Sequence, residues 1–192
     1  MRNAKLLLAI FTLLLAGCLV IPTYKARISV HTTAYNKQEV QVQNMMLVGT
    51  GPVASRVFLD NLHTEMTQSL KSKGVESRFS YAGSGSQYGP LKLDSLVSDQ
   101  YDAYLVFKAT GPAQLNMTKP QYSAIGPGVV GTGYGNQYVE NYTVSLYKGK
   151  EKLQLVWKGE MEVDFDLAND SRYKQISQLL LKELVDRHIL PE

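Results

Sequence analysis

The chain has 192 residues, 44% of them hydrophobic and 19% charged, with a formal net charge of +3 and one cysteine. That length suits one domain with a sizeable core. The small net charge argues against a nucleic-acid partner, which needs a clustered basic surface. One cysteine and three scattered histidines (His31, His63, His188) leave neither an internal disulfide nor a Cys/His metal site.

Arg2 and Lys5 precede an apolar run from Leu6 to Leu15, and small Ala16 and Gly17 then lead to Cys18. A secretory signal has these parts: a positive start, an apolar centre of roughly 7–15 residues and small residues at the cut. The run is too short to span hydrocarbon as a permanent helix, which takes about 20 residues. Leu15-Ala16-Gly17-Cys18 resembles the bacterial lipoprotein signal, in which the cut falls just before a cysteine that carries lipid. The resemblance implies a diacylglyceryl thioether on Cys18 and an acylated amine. Several acyl chains would anchor the protein stably, where one alone binds only marginally. Leu19 stands where an aspartate would mark inner-membrane retention in enteric bacteria, so the expected place is the outer membrane, facing the periplasm. Residues 1–17 are read as signal peptide, 18–26 (with Pro22) as tether, and 27–192 as a single domain. Cleavage takes 17 of the 192 residues, leaving 175, and removes Arg2 and Lys5, lowering the charge from +3 to +1.

From Arg27 to Gln43 two alternating runs, Ile28/Val30 and Val40/Val42, are candidate strands. Met45 to Val48 is a short apolar run closed by Gly49-Thr50-Gly51-Pro52, the pattern of a buried strand and a turn. A helix is expected over roughly Ala54 to Lys73. Phe58, Leu62, Met66 and Leu70 recur every four residues, with Val57 and Leu59 beside the stripe, and Gly74 is the stop. Val75 to Tyr81 reads as a strand, and Leu91 to Asp99 as a short helix with Leu93, Leu96 and Val97.

Tyr101 to Ala109 is apolar on both faces, which predicts a central strand covered on both sides. The stretch 111–137, rich in Gly, Pro, Tyr and Ser, is expected to be an irregular loop. Tyr138 to Tyr147 alternates, with Tyr142, Val144 and Leu146 on one face. After the turn at Lys148–Glu151, Leu153, Leu155, Trp157, Met161, Val163 and Phe165 share one parity and Glu160, Glu162, Asp164 and Asp166 the other. One face is therefore buried, with Trp157 beside Leu155 and Met161, and one is acidic and wet. Gly159 is a candidate bulge. Asp170 or Ser171 caps a final helix that runs to about His188 on Ile176, Leu180 and Leu184, flanked by Leu179, Val185 and Ile189. The order β-α-β-(α)-β-β-β-α predicts a single α/β domain, a mixed sheet packed by two long helices.

The lipoprotein signal, the strand, turn and helix of Met45 to Gly74 ending in L-K-S-K-G-V, the segment Y-D-A-Y-L-V-F at Tyr101 to Phe107, and the closing hairpin with L-V-W-K-G together resemble a group of small envelope lipoproteins. These share a domain similar to the amino-terminal domain of TolB and include CsgG and LpoB. The resemblance implies a non-enzymatic role, binding or regulating another envelope component. The Gly/Tyr-rich insertion at Gly126–Gly135 departs from the group's pattern.

Three motifs bear on chemistry. Gly126-Pro127-Gly128-Val129-Val130-Gly131 matches G-x-G-x-x-G, but it neither follows a buried strand nor opens a helix, so no nucleotide is expected. Ser55, Asp60 and His63 lie close in sequence, yet no nucleophile elbow accompanies them, and a hydrolase is the weakest reading. The acidic row Glu160/Glu162/Asp164/Asp166 reads as a solvated strand face rather than a cation site. The expectation is a lipid-anchored periplasmic binding or regulatory module without cofactor or metal. It would meet the membrane through Cys18 and a second envelope protein through the loop, by Tyr122, Tyr134 and Tyr138. Tyrosine supplies large amphipathic contacts at small entropic cost. The alternative is an accessory lipoprotein of an envelope transport or secretion assembly.

Overall fold

A computed structural model describes residues 27–36, 42–83, 97–111, 113–117, 136–150, 152–166 and 171–191. Strands β1 (Arg27–Tyr35), β2 (Asn44–Thr50), β3 (Glu76–Tyr81), β4 (Ala103–Ala109), β5 (Gln114–Met117), β6 (Asn136–Lys148) and β7 (Gln154–Asp166) form one mixed sheet. The order across it is β1-β7-β6-β4-β2-β3, with β5 also paired to β6. Helices α1 (Val53–Ser72) and α2 (Ser171–Asp186) pack on each other and on the sheet, α1 over β2 and β3 and α2 against β1. The domain is thus a single α/β layer pair, as the pattern predicts. The expected short helix at 91–99 lies largely outside the described residues; of the strand candidate Val40/Val42, Val40 lies outside them, and Val42 is buried but stands before β2 in no strand.

The parallel pairs β2–β3 and β2–β4 make the β3 end of the sheet, and antiparallel ladders make the rest. The four-residue repeat of α1 is its core face: Phe58, Leu62, Met66 and Leu70 are all buried. Gly74 ends the helix at φ 74°, with its own N–H bonded to Lys71 O and that of Val75 to Leu70 O. This is the paired closing motif that a left-handed residue allows. α2 ends the same way: His188 sits at φ 56°, its N–H on Val185 O and that of Ile189 on Leu184 O. Val57, expected beside the α1 stripe, is 58% exposed, and Leu179, expected to flank that of α2, is 40% exposed.

Three expectations for the strands are corrected. Within the stretch 111–137 read as an irregular loop, Gln114–Met117 pairs antiparallel with Asn136–Val139, so the loop is bounded by a ladder. Leu155 is not beside Trp157 inside; it is 38% exposed, while Val156 and Trp157 are both buried. The β6–β7 register shifts between Leu146 and Tyr147, which face Trp157 and Leu155. A bulge therefore turns the two-residue period over at Val156, and Leu153 packs with Tyr101, Tyr104 and Val106 on the opposite face. Gly159 is not the bulge. A Cβ there would stand 2.6 Å from the Trp157 ring, so glycine is what lets the indole lie flat against the strand. The irregularity of the β1–β7 pair falls on β1, between Thr32 and Ala34.

Candidate functional site

On β6 the two-residue period puts Tyr138, Glu140 and Tyr142 on the helix-covered face, under the first turn of α1. Glu140 is only 3% exposed. A buried carboxylate is costly unless hydrogen-bond donors surround it. Ser55 donates its hydroxyl to Glu140 Oε1 at 2.5 Å, and the hydroxyls of Tyr138 and Tyr142 both donate to Oε2. The two tyrosine hydroxyls lie 2.7 Å apart. Phe58 stacks on both rings, at 4.9 and 5.3 Å between centroids, and Tyr173 of α2 tilts against it at 5.7 Å. Burial raises both phenol pKa values, with the charge of Glu140 reinforcing it, so both remain protonated donors.

This cluster is spent on itself. Both Glu140 oxygens accept, Ser55 is fully buried, and neither is presented to solvent as a base or nucleophile. What the cluster does is tie α1 to β6. The turn before α1 is held with it: a Cβ on Gly51 would meet Ala109 Cβ at 2.8 Å and Ser55 Oγ at 3.0 Å. Tyr81 donates to Gly51 O at 2.5 Å and to Pro52 O at 2.9 Å, and the Arg56 guanidinium lies 5.5 Å over its ring.

The three residues a hydrolase reading would use are drawn apart. Ser55 faces Glu140, Asp60 pairs with Arg56 at 3.7 Å, and His63 stacks on Phe79 at 4.9 Å. Burial lowers the His63 pKa, against the opposing pull of Asp60.

The opposite face of the sheet carries an apolar cluster around Tyr104 and Val48 and, over β1, β7 and part of β6, a polar surface. Glu160 and Glu162 of β7, His31 of β1, Asn141 of β6 and Thr110 line an open depression of about 420 Å³. Glu162 is paired with Arg27 at 3.2 Å, and burial raises the Asp164 pKa. The Asp166 side chain lies outside the described residues. A surface of carboxylates, an amide, a hydroxyl and an imidazole can accept and donate hydrogen bonds to a polar partner.

Of the residues expected to carry function, Cys18, Tyr122, Tyr134 and the glycines of 126–135 lie outside the described residues. Tyr138 does not belong to a contact loop. It is 1% exposed, stacked on Phe58 and bonded to Glu140, because β6 begins at Asn136 and the residue falls on the core face. Glu140 is the residue that sequence reasoning passed over. Its signal was a carboxylate at the even positions of an apolar face, with tyrosines two residues away on either side, which the alternation of Tyr142, Val144 and Leu146 extends backward to reach.

No family model matches the chain, and no curated protein matches it. Among solved structures, it is similar to the PelC dodecamer from Paraburkholderia phytofirmans, with a TM-score of 0.48 and 12% identity over 80% of this chain and 95% of that one. A leucine-to-methionine variant of the same dodecamer gives the same score and identity over 80% and 96%. A likeness this slight bears on neither activity nor partner.

Proposed function

We propose that the protein is a lipid-anchored lipoprotein of the bacterial envelope, held in the outer membrane by Cys18 and acting toward the periplasm as a non-enzymatic binding or regulatory module of the TolB-domain-like kind. The observation that carries this reading is Leu15-Ala16-Gly17-Cys18, at the end of a basic start and a short apolar run. Its non-enzymatic half draws support from Ser55, Asp60 and His63, whose side chains are engaged separately with Glu140, Arg56 and Phe79. The partner contact is assigned to Tyr122 and Tyr134 and the glycine-rich segment between them.

The test is recovery of the full chain from membranes in mild detergent, with cross-linking before lysis. A second envelope protein in simple ratio is the expected result. Replacing residues 124–136 by a short Gly/Ser linker should leave the domain folded and weaken that association. A stoichiometric multi-subunit transporter would instead favour the accessory-subunit reading. A chain recovered alone under both conditions would contradict the proposal.

A further inference from the structure

β3 is the last strand of the sheet, and among the described residues no strand pairs with its outer side. The amides of Glu76 and Ala82 point inward, to Gln43 O and Gly49 O on the β2 side. By the two-residue period the backbone groups of Ser77, Phe79 and Tyr81 therefore face outward. Exposed edges are a template for another strand, and proteins commonly blunt them with isolated charges, bulges or proline. β3 pairs with β2 in unbroken register and contains no proline.

It does carry two charges, and their spacing is the informative feature. Glu76 and Arg78 are both exposed, two residues apart and of opposite sign, on the side of the sheet away from α1. Neither makes an ion pair among the described residues. If a second copy of β3 is laid antiparallel with Ser77 opposite Ser77, each Glu76 comes to lie opposite the other copy's Arg78. Both such pairs fall at the closely spaced positions of the ladder, where side chains approach most nearly. The outward N–H and C=O of Ser77 then bond to their symmetry mates. On the helix side the residue over Ser77 is Thr67, whose hydroxyl is 3.1 Å from that of Ser77, so no charge falls on the axis from that side. A register centred on Phe79 would place Arg78 opposite Ser80 and Glu76 opposite Ala82, leaving both charges unmatched.

We infer that the outer edge of β3 seats a second copy of this chain, antiparallel about Ser77, to give a sheet continuous across a twofold axis with Glu76–Arg78 pairs on either side of it. The charges guard this edge against other strands and select its own copy.

The experiment is sedimentation equilibrium of the full chain in density-matched detergent, for the wild type, Glu76→Arg, Arg78→Glu and the double exchange. Each single exchange puts like charges opposite each other twice, and should weaken self-association by about tenfold or more. The double exchange restores opposite signs and should recover most of the wild-type association. Amide exchange of the wild type should slow at Ser77 and Phe79 as concentration rises. A wild type that stays monomeric would overturn the inference. So would a dimer indifferent to both single exchanges, or one that the double exchange fails to restore.

Discussion

The two edges of the sheet are built on opposite principles. At β1 the strand is irregular between Thr32 and Ala34 and bolted to α2. Trp157 donates its indole N–H to Thr32 Oγ1 at 2.9 Å, Thr32 donates to Glu183, and Arg187 reaches the same Glu183 oxygen at 3.2 Å. Tyr35 closes the latch with a 2.6 Å bond to Arg187 O, beneath the guanidinium of that residue at 5.8 Å. At β3 the strand is regular, and among the described residues no such network holds its exposed side chains. The difference teaches that one edge is locked by side chains from the helix layer, while the other, among the described residues, leaves its outer backbone unpaired.

The largest expected break is at the lock. Trp157 is fully buried, and Trp157→Ala should cost about 3–5 kcal/mol in chemical denaturation. A loss below about 1 kcal/mol would mean that the indole does not organise this edge. Thr32→Val keeps the shape but removes the acceptor for a buried indole N–H and the donor to Glu183, so a loss of about 1–3 kcal/mol is expected. At the end of α2, His188→Gly replaces a side chain in the left-handed region and should raise stability by up to about 1 kcal/mol, read as a higher Tm.

Smaller effects belong to the β3 side. His63, stacked on Phe79 above this edge, has a pKa lowered by burial. The unfolded chain therefore binds more protons there, and stability should fall as pH drops through about 6.5, the ordinary histidine value, toward the lower folded one. His63→Gln should flatten the fall of Tm with acidification. An unchanged slope would assign it to other groups. Least of all, Glu76→Arg should leave the unfolding free energy of the monomer within about 0.5 kcal/mol, since the side chain is exposed. A larger loss would place Glu76 in the fold itself rather than at a contact.

Much of the fold was legible because its patterns are repetitive. Phe58, Leu62, Met66 and Leu70 share a face at one spacing, and Gly74 can take a conformation that costs other residues energy. Reading failed where the period breaks without a change in composition. Leu153-Gln154-Leu155-Val156-Trp157 is apolar enough that a bulge at Val156 leaves no trace in hydropathy; it shows only in the ladder. β5 was missed because four residues beside Gly111 and Pro112 carry too short an alternation to register. The candidate site was less legible than the fold. Tyr138 was drawn into the glycine-rich loop by its neighbours, although its partners are Glu140, Tyr142 and Phe58, brought to it by strand pairing and helix packing. Nor could Ser55 announce that its hydroxyl serves a carboxylate 85 positions away.

The central claim is that Cys18 carries lipid and fixes this domain to the envelope. Intact mass spectrometry of the wild-type chain from the membrane fraction, beside Cys18→Ser, tests it most directly. The account predicts a chain that begins at Cys18 and carries the mass of attached acyl groups, with Cys18→Ser left unprocessed. A wild-type chain without added lipid mass, or one released freely into the soluble fraction, would contradict it.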